Sequence, residues 1–188
     1  MPSDPLDRLV DHLAEERGFS AHTLRAYLTD LAQFCDYVQS GPEALAREAS
    51  DRPPATLDAL RKAKRNDVRA FLAHVQTAGG SARTSARKLA SLRTAYRFFV
   101  AEGDLEENPA RAVRSPKLGR ALPNVLSIPE VTALLEAPDR NEPLGIRDWA
   151  VLETLYSSGV RAAELAGLGL HDVDLVGGII MVLGKRKK

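Results

Sequence analysis

Apolar positions in the first half of the chain recur at helical spacing. Leu6, Leu9, Val10 and Leu13 follow the i, i+3, i+4, i+7 pattern of one buried helix face, which ends near Gly18. Ser20 stands as an N-cap before a second run, Leu24, Leu28, Leu31, Cys35 and Val38, that stops at Ser40-Gly41-Pro42. Residues 41–55, rich in Pro, Ala and charge, predict a loop with room for a short helical turn. Val68, Phe71, Leu72 and Val75 predict a third helix over 66–77, broken by Gly79-Gly80.

The fourth helical pattern, over 82–102, has two faces. Leu89, Leu92, Tyr96, Phe99 and Val100 fall within an arc of about 100°. Arg83, Arg87, Arg93 and Arg97 fall in a separate arc of about 120°, flanked by Thr84, Lys88 and Ser91. The first arc predicts a core stripe. The second predicts a DNA-facing surface, because guanidinium forks match phosphate oxygens and short hydroxyl side chains approach the backbone closely. A solvated basic face is the alternative that the pattern alone leaves open.

Beyond Gly103 the periodicity lapses. Asn108-Pro109 opens a turn, and residues 113–125 carry Pro116, Lys117, Gly119, Arg120 and Pro123. These features predict a basic linker over 108–126 between a helical unit, 1–107, and a second unit, 127–188. Ser127-Ile128-Pro129-Glu130 reads as a capping box, followed by Val131, Leu134 and Leu135 as the buried side of a helix. The helix over 144–158 is apolar on several sides through Ile146, Trp149, Val151, Leu152, Leu155 and Tyr156, which predicts a place at the centre of a core. Gly159 is placed to end it in a left-handed conformation, and a short helix follows over 162–168. Ile179 to Leu183, after Gly177-Gly178, predicts a strand whose hairpin partner is missing from the sequence.

Composition adds a partner to this outline. The net charge of +1 conceals −6 over residues 1–60, +9 over 61–120 and −2 over 121–188. A basic middle is what phosphate contacts require. The 44% hydrophobic and 27% charged fractions suit a soluble protein with cores. No run approaches the ~20 apolar residues of a membrane span, and the N-terminus shows no signal-peptide pattern. A cytoplasmic protein with no membrane association is expected. The lone Cys35 lies on an apolar face and predicts core filling rather than a reactive thiol.

Candidate chemistry narrows to one region. His12, His22, His74 and His171 are scattered, and no ligand spacing for a metal is present; His171-Asp172 reads as a loop or helix end. Arg161 differs, because it follows a helix-ending glycine and opens a new helix, where packing on both sides is expected to hold it. Its surroundings read Leu-Tyr-x-x-Gly-Val-Arg-x-x-Glu-Leu-x-x-Leu over 155–168, then Asp172-Val173-Asp174, a Gly-led strand and Gly184-Lys185.

That string resembles the first half of the active site of tyrosine recombinases. The resemblance extends upstream to Gly18-x-Ser20-x-x-Thr23-x-x-x-Tyr27-x-x-Asp30-Leu31-x-x-Phe34-x-x-Tyr37, to Arg87-x-Leu89-x-Ser91-x-x-x-x-Tyr96-Arg97, to Asn108-Pro109, and to Pro116-Lys117 with Leu122-Pro123. It covers essentially the whole chain and points to the XerC/XerD-like subgroup of chromosome-dimer resolvases. The fold implied is mainly α: an N-terminal four-helix core-binding (SAM-like) domain, then the N-terminal part of a mixed α/β catalytic domain. By the resemblance Arg161 is the first catalytic arginine, holding a non-bridging oxygen of the scissile phosphate. Lys185 aligns with the hairpin lysine that protonates the departing 5′ oxygen. Glu164 either orients Arg161 or only caps the local helix. Arg83, Thr84, Arg87, Lys88, Ser91, Arg97 and Lys117 are expected to bind DNA.

The resemblance further implies a double-stranded recombination site, a 3′-phosphotyrosyl intermediate formed without a cofactor, and a tetrameric complex with a sister recombinase for the full-length enzyme. Two departures stand out. The family usually reads Gly-Lys-Gly at the hairpin, whereas Lys185 is followed here by Arg186. The His-x-x-Arg pair and the tyrosine nucleophile belong beyond Lys188, and none of Tyr27, Tyr37, Tyr96 and Tyr156 takes the nucleophile's place. The chain is therefore expected to be an inactive fragment of an enzyme. A non-catalytic DNA-binding module or shortened regulatory product is the rival reading, and a helical scaffold without nucleic acid a third.

Overall fold

The structure is a computed structural model that describes residues 4–117, 119 and 125–182. It is mainly helical and divides into two compact units, residues 1–120 and 121–188.

In the first unit, α1 (Pro5–Asp11) continues into a π-helical turn at His12–Glu16. α2 (Ala21–Ser40) starts where Ser20 Oγ accepts from Thr23 N at 3.3 Å. Short 3₁₀ turns occupy Pro42–Ala46 and Ala49–Asp51 within the expected loop. Arg47 of that loop pairs with the buried carboxylate of Asp36. α4 (Arg65–Thr77) and α5 (Ala82–Ala101) match the third and fourth patterns within a residue or so.

Between them and the loop lies α3 (Leu57–Lys62), which the periodicity did not predict. Thr56 caps it through Ala59 N at 3.3 Å, and Tyr96 Oη of α5 donates to Leu60 O at 2.9 Å. Leu60 and Ala59 are both buried. Six residues are too few for a helical period to show, so the tertiary contact with α5 decides the conformation.

Leu9, Leu13, Leu31, Phe34, Val68, Phe71, Leu89, Leu92, Tyr96 and Phe99 form the centre of one core. Phe34 and Phe71 meet edge to face with centroids 5.3 Å apart. Cys35 lies in this core, and burial pushes its thiol up to about 11, outweighing a backbone hydrogen bond with Thr56 that acts the other way. Arg8 ties α1 to the end of α5 through Glu102 at 3.0 Å and Asp104 at 2.8 Å.

In the second unit, α6 (Ile128–Glu136) begins with the expected box: the Glu130 carboxylate accepts from Ser127 N and Oγ, both at 2.7 Å. α7 (Pro143–Ser158) ends at Gly159 with φ 65° and ψ 18°, a left-handed residue whose N–H donates to Leu155 O at 3.0 Å. α8 (Ala162–Ala166) follows, then a 3₁₀ turn at Leu170–Asp172 that contains His171.

β2 (Ile179–Ile180) pairs antiparallel with the upstream β1 (Val173–Asp174), with Val173 opposite Ile180 and Asp174 opposite Ile179, so one of its edges is covered. The hairpin arm expected after Lys185 lies outside the described residues. Asp174 Oδ1 accepts from Val176 N at 3.0 Å and Gly177 N at 2.9 Å, closing the turn. One expectation for this unit is corrected: the apolar faces of α6 and α7 are not buried. Leu134, Ile146, Val151 and Tyr156 are exposed, and Val131 and Leu135 only half-buried. α7 packs on α6 and on α8, and these contacts leave Ile146, Val151 and Tyr156 exposed.

Candidate nucleic-acid interface and the Arg161 turn

Asp30 on α2 is the residue around which the basic face of α5 is organised. Its carboxylate is 1% exposed. Lys88 Nζ donates to Oδ1 at 2.8 Å, Ser91 Oγ to Oδ2 at 2.8 Å, and Arg87 Nη1 also donates to Oδ2. Lys88 Nζ makes a second bond to Gln33 Oε1. Lys88 and Ser91 are thus buried, which corrects their expected place on the exposed face. Both lie on the α2 side of the helix, where a buried carboxylate demands donors. Arg87 spans the boundary, its side chain 45% exposed although one nitrogen reaches Asp30.

The opposite edge of the arc is also engaged. Arg93 Nε donates to Ala110 O at 3.2 Å, Nη1 to Ser115 Oγ at 3.2 Å, and Nη2 to Val113 O. Asn108 Nδ2 donates to Arg93 O at 3.3 Å. These bonds fold residues 108–115 onto α5 with Ala110 and Val113 buried. Part of the segment read as linker is therefore packed against the helical unit. A wheel cannot distinguish a guanidinium facing solvent from one facing a returning strap.

Arg83 and Arg97 lie between these two edges, and both are exposed. Thr84 is half-buried; its N–H and hydroxyl meet Ser81 Oγ at 3.0 and 2.9 Å, so it completes the N-terminal cap of α5. Lys117 is exposed. Sequence reasoning passed over a further feature, a cleft of about 670 Å³ where Arg65 and Arg69 of α4 meet Arg114 over Leu72, Val113 and Pro116. Among the described residues no carboxylate lines it. Arg114 lies more than forty residues from Arg65 and Arg69, so only the folded strap brings it to them.

In the second unit, Arg161 is the N-cap of α8. The Glu164 carboxylate accepts from Arg161 N at 2.8 Å and from Arg161 Nη1 at 2.6 Å. Glu164 therefore does both things the sequence left open, capping the helix and holding the guanidinium. The Arg161 side chain is 73% exposed, so this carboxylate braces it and the expected packing on both sides does not. The hydrogen bond from the Arg161 backbone N–H, then that from its guanidinium, hold the Glu164 carboxyl below the usual range. Lys185 lies outside the described residues. No described helix is long and apolar enough to cross a membrane.

Comparison with known proteins covers both units. The model of the phage integrase family matches residues 124–188. The model of the phage integrase N-terminal SAM-like domain matches residues 6–64 and 54–103. Tyrosine recombinase XerC of Thermodesulfovibrio yellowstonii is 38% identical over 183 residues, 97% of this chain and 55% of that protein. Tyrosine recombinase XerC of Pelobacter propionicus is 40% identical over 179 residues, 94% of this chain and 54% of that protein. Tyrosine recombinase XerD of Listeria innocua is 36% identical over 186 residues, 99% of this chain and 58% of that protein. The chain thus spans a little over half the length of these curated relatives.

Proposed function

Because this chain belongs to the phage integrase family of tyrosine recombinases, we propose that it supplies the DNA-binding helical unit and the opening part of the catalytic unit of a site-specific recombinase. The substrate is double-stranded DNA. Arg83, Arg87 and Arg97 of α5 contact backbone phosphates, and Lys117 adds a contact after the strap. Lys88 and Ser91 serve the interface from inside, through Asp30, and Thr84 through the cap of α5.

The observation that carries the catalytic part is Arg161: a guanidinium set immediately after a left-handed glycine, largely exposed, with one edge braced by Glu164. Such a group can take a non-bridging phosphate oxygen without losing its orientation, and it stabilises the charge of a pentacoordinate transition state. Lys185 protonates the 5′ oxygen as its bond to phosphorus breaks, while a tyrosine oxygen, its proton released, bonds to phosphorus. The phosphotyrosyl bond conserves the energy of the broken one, so no cofactor is needed. The nucleophile is none of Tyr27, Tyr37, Tyr96 and Tyr156: Tyr96 donates its hydroxyl to Leu60 inside the core, and the others precede Arg161.

Residues 1–188 alone bind DNA and do not cut it. The full-length enzyme acts as a tetramer with a sister recombinase on two sites, in chromosome-dimer resolution in the cytoplasm. The test uses the full chain with a labelled duplex and with a nicked suicide substrate. Binding without covalent attachment is expected, and reversing Arg83 and Arg97 to Glu should weaken it by roughly tenfold or more. A covalent adduct would overturn the inactivity of these residues. Binding indifferent to those reversals would overturn the interface, and binding without any recombinase activity in the full-length protein would favour a DNA-binding module.

A further inference from the structure

The Asp30 cluster contains one more cation than charge balance requires. Lys88 is itself buried and at 2.8 Å neutralises the carboxylate. Arg87 is not buried for any stability reason that its surroundings supply, since its side chain remains 45% exposed. The neighbouring contact between α2 and α5 is apolar, through Leu31, Leu89 and Leu92, and an apolar side chain at position 30 would serve packing at least as well. What the carboxylate adds is direction. A guanidinium carries five N–H donors in a rigid plane, so fixing one nitrogen on Asp30 Oδ2 fixes the edge left for an external acceptor.

We infer that Asp30 is a positioning residue for DNA contact, holding Arg87 from behind so that its free edge stands in the arc of Arg83 and Arg97. This rests on the reading of the α5 face as the DNA interface. Ser91 completes the device by donating its single hydroxyl proton to Oδ2 at 2.8 Å, the shorter of its two acceptors, with Arg87 O at 3.1 Å the alternative.

Electrostatics and positioning predict opposite signs when Asp30 is neutralised. Removing a negative charge beside a phosphate-binding face tightens DNA binding if charge is all that matters. Loss of the anchor weakens it. The experiment measures affinity of the full chain for a fluorescein-labelled duplex at one salt concentration, for D30N, R87A and D30N/R87A, with circular dichroism to confirm folding. Each single variant should bind roughly tenfold more weakly, and the double variant no more weakly than R87A alone, because both remove one coupled contact. D30N binding equal to or tighter than the parent, or losses that multiply to roughly hundredfold, would overturn the proposal.

Should D30N fail to fold, D30L/K88M replaces the buried pair with apolar side chains and still leaves Arg87 without its anchor, so the same comparison applies. If R83E/R97E abolishes binding while R87A does not change it, Asp30 has no positioning role and the interface stands. If no variant changes binding, the interface itself fails.

Discussion

Glu164 holds Arg161 twice, through the backbone N–H at 2.8 Å and through the guanidinium at 2.6 Å. One carboxylate thereby couples the start of α8 to the direction of an exposed cation.

That coupling has a pH signature. A carboxyl lowered on folding contributes fully above its unfolded value, roughly 4.3, and the contribution disappears as pH falls through the lower folded value. The Glu164 carboxyl carbon should titrate below an unstructured glutamate, and the Arg161 Nε–H resonance should shift with the same midpoint. E164Q should remove that shared transition. An Arg161 resonance indifferent to acid would sink the brace.

Arg93 makes a different kind of prediction. R93A removes the donors that hold the Ala110 and Val113 carbonyls. Trypsin should then cut more rapidly after Arg111 and Arg114, both exposed on the strap, while the helical circular dichroism stays unchanged. An unaltered cleavage rate would mean that the strap is held by its buried apolar residues alone.

Y96F leaves the Leu60 carbonyl without its buried donor. The expected cost is about 1–2 kcal/mol, seen as a lower melting temperature, with α3 amides exchanging first. A melting temperature equal to the parent's would show that α3 does not depend on this bond.

With its thiol pushed up to about 11, Cys35 is almost wholly protonated at neutral pH. Near pH 8 only roughly one molecule in a thousand carries the thiolate. A thiol reagent should label the protein slowly until denaturant is added, then at once. Rapid labelling of the native protein would contradict the placement of Cys35 in the core.

Local signals carried well from sequence to fold. The caps at Ser20 and Ser127 and the left-handed end at Gly159 rest on neighbours a few residues away, and all three form as read. α3 escaped because its one tyrosine contact lies 36 residues distant. The Asp30 cluster escaped for the same reason, with donors 57 to 61 residues along the chain. The wheel placed the arginines of α5 on one side, but not which of them meet water. Arg161 was found through its motif, whereas its brace needed the observed turn. The upstream neighbour of β2, Val173-Asp174, was not read as a strand because two residues are too short to show a period.

The two engaged edges of α5 bear on how binding responds to ionic strength. Five cations lie on that helix, Arg83, Arg87, Lys88, Arg93 and Arg97, and a count of residues would credit it with five phosphates. Lys88 is enclosed with Asp30, and Arg93 has its donors on backbone carbonyls. About three phosphates remain to be matched, so the helix should displace about three condensed counterions from the duplex, and log affinity against log salt should fall with a slope near −2.7 rather than about −4.5 from α5. Binding through this helix should therefore be weaker at low salt, and less sensitive to added salt, than binding through five free side chains.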